Sequence, residues 1–137
     1  FGTAKDVVNY AGYVGSYLLD EEFKQVQITQ IRDLLKNEEF IIDVREKGEY
    51  ERGHIKGVKN IPFSEIRDRL DEIPTDRPVY LHCRSAQRSY NACLALQHLG
   101  FDNIYNVSGG FMGISFYEYY KDKVQDREPI VTEYNFN

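Results

Sequence analysis

The sequence predicts an α/β domain built on an open, mainly parallel five-stranded sheet with helices on both of its faces. Short apolar runs that are typical of strands alternate along the chain with segments whose apolar residues recur at helical spacing. This alternation builds βαβ units, and the apolar run Phe40–Val44 is typical of a strand buried in a parallel sheet. A chain of 137 residues with 42% hydrophobic and 28% charged residues fits one globular domain with a single core.

Helix-capping residues, prolines and a glycine set the limits of the predicted helices and strands. Thr29 and Ser64 can each cap the amino terminus of a helix, Pro78 sets the start of the fourth strand, and Pro62 stops the third. Gly100 ends a helix in the manner of a glycine cap. The predicted strands are Gln25–Ile28, Phe40–Val44, Val58–Ile61, Val79–His82 and Asn103–Val107. The predicted helices are Gln30–Lys36, Ser64–Leu70, Tyr90–Leu99 and Ile114–Lys123, with a further helical turn at Glu49–Arg52.

The sequence VYLHCRSAQRS, residues 79–89, places Cys83 between the end of the fourth strand and the helix that follows. Backbone N–H groups at the start of a helix have no acceptor within the helix, and the helix dipole adds positive potential there. Arg84 and Arg88 add full charges beside the cysteine, so this environment favours the reactive thiolate. A buried cysteine that only fills the core is the simpler alternative, but it leaves two arginines and two serines unexplained.

The second cysteine and the histidines give no comparable site. Alternation along the strand turns His82 away from Cys83, and Cys93 lies among apolar residues of the following helix, where it fills the core. The cysteines and histidines have no zinc-site spacing, and no two cysteines form a C-x-x-C pair. We therefore expect neither a metal site nor a thioredoxin-type dithiol.

Charge and hydropathy argue against several classes of partner. A net charge of −5 gives no general affinity for nucleic acid or for anionic membranes. No apolar run approaches the length of a membrane span. The two cysteines cannot pair without unwinding a helix, and two free thiols suit a reducing compartment, so we expect the protein in the cytoplasm.

The segment CRSAQRS, residues 83–89, resembles the active-site loop of the rhodanese family of sulfurtransferases, whose single-domain members often carry C-R-S-G-x-R-S. Ala86 takes the place of the glycine, and alanine poorly tolerates the positive φ that a glycine permits. A second segment, DVREKGEYERGHIKGVKNIP at residues 43–62, resembles the family's D-V-R-x-x-x-E-F/Y-x-x-G-H-I-x-G-A-x-N-I-P, with Val58 in the alanine position. The resemblance extends over roughly residues 25–124.

The resemblance implies an enzyme that moves sulfane sulfur from thiosulfate, a persulfide or a polysulfide to a thiol or cyanide. The sulfur would be carried as a persulfide on Cys83, the nucleophile, and Arg88 would be the second catalytic residue, which holds the loop and adds positive potential. The residues implied for substrate binding are Arg84, Ser85, Ala86, Gln87, Ser89 and Arg45, and those implied for a supporting role are Asp43 and His54.

Two alternatives of other classes stay open. Phosphatases and arsenate reductases that share this architecture use a cysteine loop one residue longer, with the arginine six positions after the cysteine. In this chain Ser89 occupies that position, and the arginine is Arg88. The second alternative is a non-catalytic domain that docks on or regulates a disulfide reductase, although the retained Cys83 argues against it.

Residues 1–24 have apolar residues near helical spacing and are expected to form an N-terminal helical segment. The stretch Lys5–Val14 resembles the closing segment of the dimerisation domain in flavin-dependent disulfide reductases of the coenzyme A disulfide reductase type. The segment is therefore either the end of a fused upstream reductase, as the start of the chain at Phe1 suggests, or a helix that packs on this domain. The rhodanese-like domain is then 25–125, followed by a C-terminal tail over 126–137. We expect no cofactor in this chain, and FAD, coenzyme A and NAD(P)H would bind only to the upstream reductase.

Overall fold

A computed structural model describes residues 24–136 of the chain. Within this part the strands are β1 (Lys24–Gln27), β2 (Phe40–Asp43), β3 (Lys59–Asn60), β4 (Val79–His82) and β5 (Ile104–Ser108). The α-helices are α1 (Ile31–Lys36), α2 (Lys47–Arg52), α3 (Gln87–His98) and α4 (Gly110–Gln125). Short 3-10 helices occupy Ile28–Gln30, Phe63–Asp68 and Leu70–Glu72. The predicted helical segment over 1–24 lies outside the described residues, except for Lys24, which begins β1.

The strands form one sheet in the order β1-β5-β4-β2-β3, and every neighbouring pair is parallel. This confirms the predicted five-stranded α/β fold. β4 is the central strand, and all of its residues are buried. Because the strands are parallel, their carboxyl ends share one edge of the sheet, where open α/β folds bind their ligands. At that edge β2 ends at Asp43, and β4 ends at His82, one residue before Cys83.

Side chains alternate between two apolar layers, one on each face of the sheet. α3 covers the first face, where Ile42, Leu81, Cys83, Cys93 and Leu96 are buried together. α1 and α4 cover the other face, where Ile31, Ile41, Val107, Phe111 and Ile114 are buried together. The predicted helices on both faces are therefore confirmed. No helix among the described residues combines the length and the apolar character that a membrane crossing needs.

Two helices begin earlier than their apolar residues predict. α3 starts at Gln87 rather than at Tyr90, because its first turn is polar and gives no apolar signal. α4 starts at Gly110, several residues before the expected position. Gly109 and Gly110 have φ values of 94° and 59°, which favour glycine, and they turn the chain from β5 directly into α4.

The segment Ser64–Leu70, predicted as an α-helix, forms 3-10 helices instead. Between Phe63 and Asp68 only Ile66 is buried. Apolar contacts therefore do little to favour an α-helix over the tighter 3-10 helix in this segment. The strand predicted over Val58–Ile61 is likewise shorter, because only Lys59 and Asn60 pair with β2.

The sequence predicts a C-terminal tail over 126–137, but the described part of this segment packs on the domain. Val131 forms an isolated antiparallel bridge with Ile55 and is 3% exposed. The N–H of Thr132 donates to the carbonyl of His54 at 2.8 Å. The segment therefore contributes to the core, and it lacks a sequence pattern because it packs through one short extended contact.

Buried charges on α4 hold the same segment in place. Glu118 and Asp122 are 1% and 6% exposed, and each accepts hydrogen bonds from both Arg32 and Arg127. Tyr134 donates its hydroxyl to Asp122 at 2.6 Å, and burial together with this bond raises the pKa of Tyr134 to about 12. Because an unpaired buried carboxylate is costly, this network fixes where the segment lies on α4.

We expect Val131→Ala to lower the free energy of unfolding by about 2 kcal/mol, because it opens a cavity where the C-terminal segment meets Ile55. Urea unfolding followed by circular dichroism measures this change. Glu128→Ala is the control, since the Glu128 side chain is 90% exposed and its loss should change stability by less than about 0.5 kcal/mol. If Val131→Ala is as stable as the wild type, the segment is not part of the core.

Candidate active site

Cys83 follows β4 directly, at the carboxyl end of the central strand. Its side chain belongs to the apolar layer under α3 and is 1% exposed. His82 lies on the opposite face, where its ring stacks against that of Phe111 with 6.3 Å between centroids. Burial lowers the pKa of His82, which favours the neutral imidazole. His82 is therefore not placed to act as a base towards Cys83.

The loop after Cys83 carries a row of backbone N–H groups without partners. None of the N–H groups of residues 84–89 donates a hydrogen bond to another residue within 24–136. Residues 87–89 form the first turn of α3, where such groups have no acceptor in their own helix. Free amides in a loop that opens a helix form a concave site for an anion or for a sulfur atom that carries negative charge.

Three carbonyl groups of residues 83–86 accept hydrogen bonds. The carbonyls of Cys83 and Arg84 accept the N–H groups of Phe111 and Met112, at 2.7 and 3.0 Å. The carbonyl of Ala86 accepts the N–H of Tyr90 and the hydroxyl of Ser89, at 2.9 and 3.0 Å.

Ala86 fits the loop without backbone strain. Its φ is −179°, an extended value that any residue adopts. Ala86 therefore does not adopt the positive φ that would have made alanine unfavourable at this position.

Arg88 is held by a glutamate of α2. Its guanidinium donates to both carboxylate oxygens of Glu49, at 2.7 and 2.9 Å. The hydrogen bonds from Arg88 lower the pKa of Glu49 to about 2, so the pair is ionised at neutral pH. Arg88 thus ties the first turn of α3 to α2, but Glu49 neutralises much of the charge that Arg88 was expected to add near Cys83. Sequence reasoning missed Glu49, although it is the glutamate of the motif at residues 43–62.

Arg45 does not line the site, which corrects its predicted role in substrate binding. It is 1% exposed, and its guanidinium donates to the Asp43 carboxylate at 2.7 Å and to the Gly53 carbonyl at 2.7 Å. The guanidinium carbon lies 4.2 Å from the centre of the Phe111 ring. Arg45 therefore joins Asp43 to Gly53 and to the ring of Phe111, and its guanidinium is already occupied by these contacts.

His54 supports the end of α2. Its Nδ1 lies 2.8 Å from the carbonyl of Tyr50, and the two rings stack with centroids 3.9 Å apart. Its backbone N–H donates to the hydroxyl of Thr132, in the C-terminal segment, at 3.0 Å. These contacts give His54 a structural place away from the Cys83 loop.

The remaining loop residues differ in their exposure. Ser85 and Gln87 are exposed, Arg84 is half-buried, and Ser89 is buried. Gln87 donates its side-chain amide to Asn91 of the same helix. In the part of the chain that the structure describes, the Arg84 guanidinium has no ion pair, unlike those of Arg88 and Arg45.

Cys93 is fully buried in the core beneath the loop. Burial raises the pKa of the Cys93 thiol well above its usual range, and the nearby charge of Cys83 raises it further. Cys93 therefore stays protonated and unreactive, as its apolar neighbours in the sequence predict.

Comparison with known proteins identifies the family to which this chain belongs. A family model described as Rhodanese-like domain matches residues 27–116, more than half of the chain. The uncharacterized protein YqhL of Bacillus subtilis is 51% identical over 71 residues, which cover 52% of this chain and 56% of YqhL. A protein named sulfurtransferase from Allochromatium vinosum is 33% identical over 94 residues, which cover 69% of this chain and 83% of that protein.

Solved structures show the same fold. The crystal structure of reduced Bacillus anthracis CoADR-RHD matches with a TM-score of 0.61 and 42% identity, over 65% of this chain and 16% of that one. The chain thus spans about half of YqhL and a small part of the longer Bacillus anthracis chain. The CRSAQRS loop at the end of β4, the parallel sheet and these matches together establish that the chain belongs to the rhodanese-like domain family.

Proposed function

We propose that this domain is a sulfurtransferase that carries sulfane sulfur as a persulfide on Cys83. The Cys83 thiolate attacks the outer sulfur of a donor such as thiosulfate, and the donor's sulfur–sulfur bond breaks. The leaving group, sulfite in the case of thiosulfate, departs with the electron pair of that bond. A thiolate or cyanide then attacks the outer sulfur of the persulfide, and the Cys83 thiolate forms again in a two-step cycle.

The row of unpaired N–H groups at residues 84–89 is the observation that supports this function most. These groups follow Cys83 directly and can donate to the terminal sulfur of a persulfide, which carries negative charge. They are held in place before the reaction, so their stabilisation of that charge costs no reorganisation.

Arg84 is the residue best placed to attract an anionic donor. Arg88 is paired with Glu49, and Arg45 is buried against Asp43, whereas Arg84 is half-buried and has no ion pair within residues 24–136. A thiosulfate dianion would therefore meet Arg84 first, beside the exposed Ser85 and Gln87.

The same contacts argue against a phosphatase or arsenate reductase. Four residues separate Cys83 from Arg88, so the loop is short for the three terminal oxygens of a phosphoryl group. Arg88 donates to both oxygens of Glu49 and has little capacity left for a phosphate. The Asp43 carboxylate, which could otherwise protonate a leaving alkoxide, is fully buried and bound to Arg45.

We infer that the molecule that accepts sulfur from Cys83 is a thiol, and that a flavin-dependent reductase is a partner of the domain. The resemblance of residues 1–24 to a reductase segment and the match to Bacillus anthracis CoADR-RHD support this. FAD, coenzyme A and NAD(P)H would then belong to the reductase. The two unbridged cysteines fit a reducing compartment such as the cytoplasm.

We expect Cys83→Ser to abolish the formation of thiocyanate from thiosulfate and cyanide, because Cys83 is the nucleophile. Cys93→Ala should keep most of the activity, since Cys93 is buried and protonated. A thiocyanate assay on both variants and the wild type measures the effect. Equal losses in the two variants would contradict the assignment.

The same protein preparation should show negligible hydrolysis of an aryl phosphate and negligible reduction of arsenate, because the loop is too short and Arg88 is already paired. Release of the phenol and loss of arsenate are measured with Cys83→Ser as the blank. Phosphatase turnover that depends on Cys83, without sulfur transfer, would reject the proposed function.

Glu49→Gln should lower the free energy of unfolding at neutral pH by about 2 kcal/mol, because it breaks a charge-assisted pair. The folded pKa of Glu49 is about 2, below its ordinary value of 4.5. The stabilisation is therefore fully present above about pH 4.5 and is lost as the pH falls towards about 2.

Denaturant unfolding between pH 2 and neutral pH tests this dependence. Glu51→Gln is the matched control, because Glu51 is an exposed glutamate of the same helix. A difference between Glu49→Gln and the wild type that does not change with pH would show that the ion pair is not its origin.

A further inference from the structure

We propose that the first turn of α4 orients the amides around Cys83, and that Gly110 is the positioning residue that allows it. This inference rests on the proposed sulfur transfer at Cys83. The N–H groups of Phe111 and Met112 donate to the carbonyls of Cys83 and Arg84, at 2.7 and 3.0 Å. Both donors belong to the first turn of α4, so they have no acceptor within their own helix.

The two anchored carbonyls determine the direction of two amides. In a trans peptide the carbonyl and the N–H of the next residue point in opposite directions. Holding the Cys83 carbonyl against α4 therefore turns the N–H of Arg84 away from α4, and holding the Arg84 carbonyl does the same for the N–H of Ser85. These are the first two of the unpaired amides that follow the nucleophile, so α4 sets their direction before a donor binds.

Gly110 makes the close approach of α4 to the loop possible. A Cβ atom at this position would lie 2.5 Å from the carbonyl oxygens of both Arg84 and Ser85, a distance that no real contact allows. The φ of Gly110 is 59°, so a side chain would also strain the turn from β5 into α4. Any larger residue must push the loop carbonyls away and rotate the amides attached to them.

A side chain at position 110 should therefore impair one property of the site and leave another unchanged. Displacing the loop should leave the Cys83 thiol in place, because Cys83 directly follows β4 and its side chain packs in the apolar layer under α3. What changes is the ability of the loop to stabilise negative charge beside the sulfur. Gly110 therefore affects the reaction of Cys83 with anions more than its reaction with neutral molecules.

The test compares Gly110→Ala with Gly100→Ala, both in a Cys93→Ala background. Gly100 also has a positive φ, 100°, but a Cβ there would meet no atom within 4 Å. The readout is the ratio of the alkylation rates of Cys83 by iodoacetate, an anion, and by iodoacetamide, which is neutral. Both reagents attack the same thiolate, so the ratio is independent of the thiolate fraction.

We expect the ratio to fall about tenfold in Gly110→Ala and to stay at the wild-type value in Gly100→Ala. The kcat/KM for thiosulfate should fall by about 100-fold in Gly110→Ala, as when a fixed donor to a developing charge is lost. An unchanged ratio in a folded Gly110→Ala protein would overturn the inference.

A second pair of variants serves if Gly110→Ala does not fold. Met112→Pro removes the N–H that donates to Arg84, and proline is tolerated in the first turn of a helix. Met112→Ala is its control, since it removes the side chain but keeps the N–H. We expect the ratio to fall in Met112→Pro alone, and equal ratios in the two variants would overturn the inference.

The outcomes separate this inference from the proposed function. If the wild type transfers no sulfur but the ratio falls in Gly110→Ala, the function fails and the positioning role stands. If the wild type transfers sulfur and the ratio is constant across the variants, the positioning role alone is rejected.

Discussion

The buried ion pair between Asp43 and Arg45 is the contact on which the edge of the sheet around the site depends. Arg45 also donates to the carbonyl of Gly53, at the end of α2, and its guanidinium lies against the ring of Phe111, at the start of α4. One side chain thus joins the end of β2 to two helices. Because burying two charges costs several kcal/mol, such a pair is kept only where its polar atoms are satisfied, and here they are.

The loop that carries Cys83 is held from two sides by the same two helices. α2 contributes Glu49, which binds Arg88, and α4 contributes the backbone N–H groups that bind the loop carbonyls. Arg45 contacts both helix ends, through the Gly53 carbonyl and the Phe111 ring. Neither support uses the N–H groups of residues 84–89, so these amides have no hydrogen-bond partner among residues 24–136.

The fold and the position of Cys83 at a strand end were predictable because both have local signals. Apolar runs define buried strands, and Cys83 stands at the end of one such run among small and basic residues. The roles of Arg45 and Glu49 were not predictable from their type, because an arginine near a site can bind substrate or support the loop from behind. That choice depends on side-chain direction and on the nearest carboxylate, which are set by the packing of α2 and β2. The packing of the C-terminal segment on the domain was not predicted either. Its main contact is a single bridge between Val131 and Ile55, and one such contact leaves no periodic pattern in the sequence.

The strand order has a consequence for how the protein is made. β1 is the first strand of the sheet to be synthesised, but its partner is β5, and Lys24 pairs with Tyr105, 81 positions later (105 − 24). At translation rates of about 5–20 residues per second, β5 is synthesised roughly 4–16 s after β1, and β1 has no partner strand during that time. An unpaired strand edge is a hazard for aggregation during such a delay. The sequence of β1, Lys-Gln-Val-Gln, has a single apolar residue. This composition suits a strand that stays exposed to solvent until β5 has been synthesised.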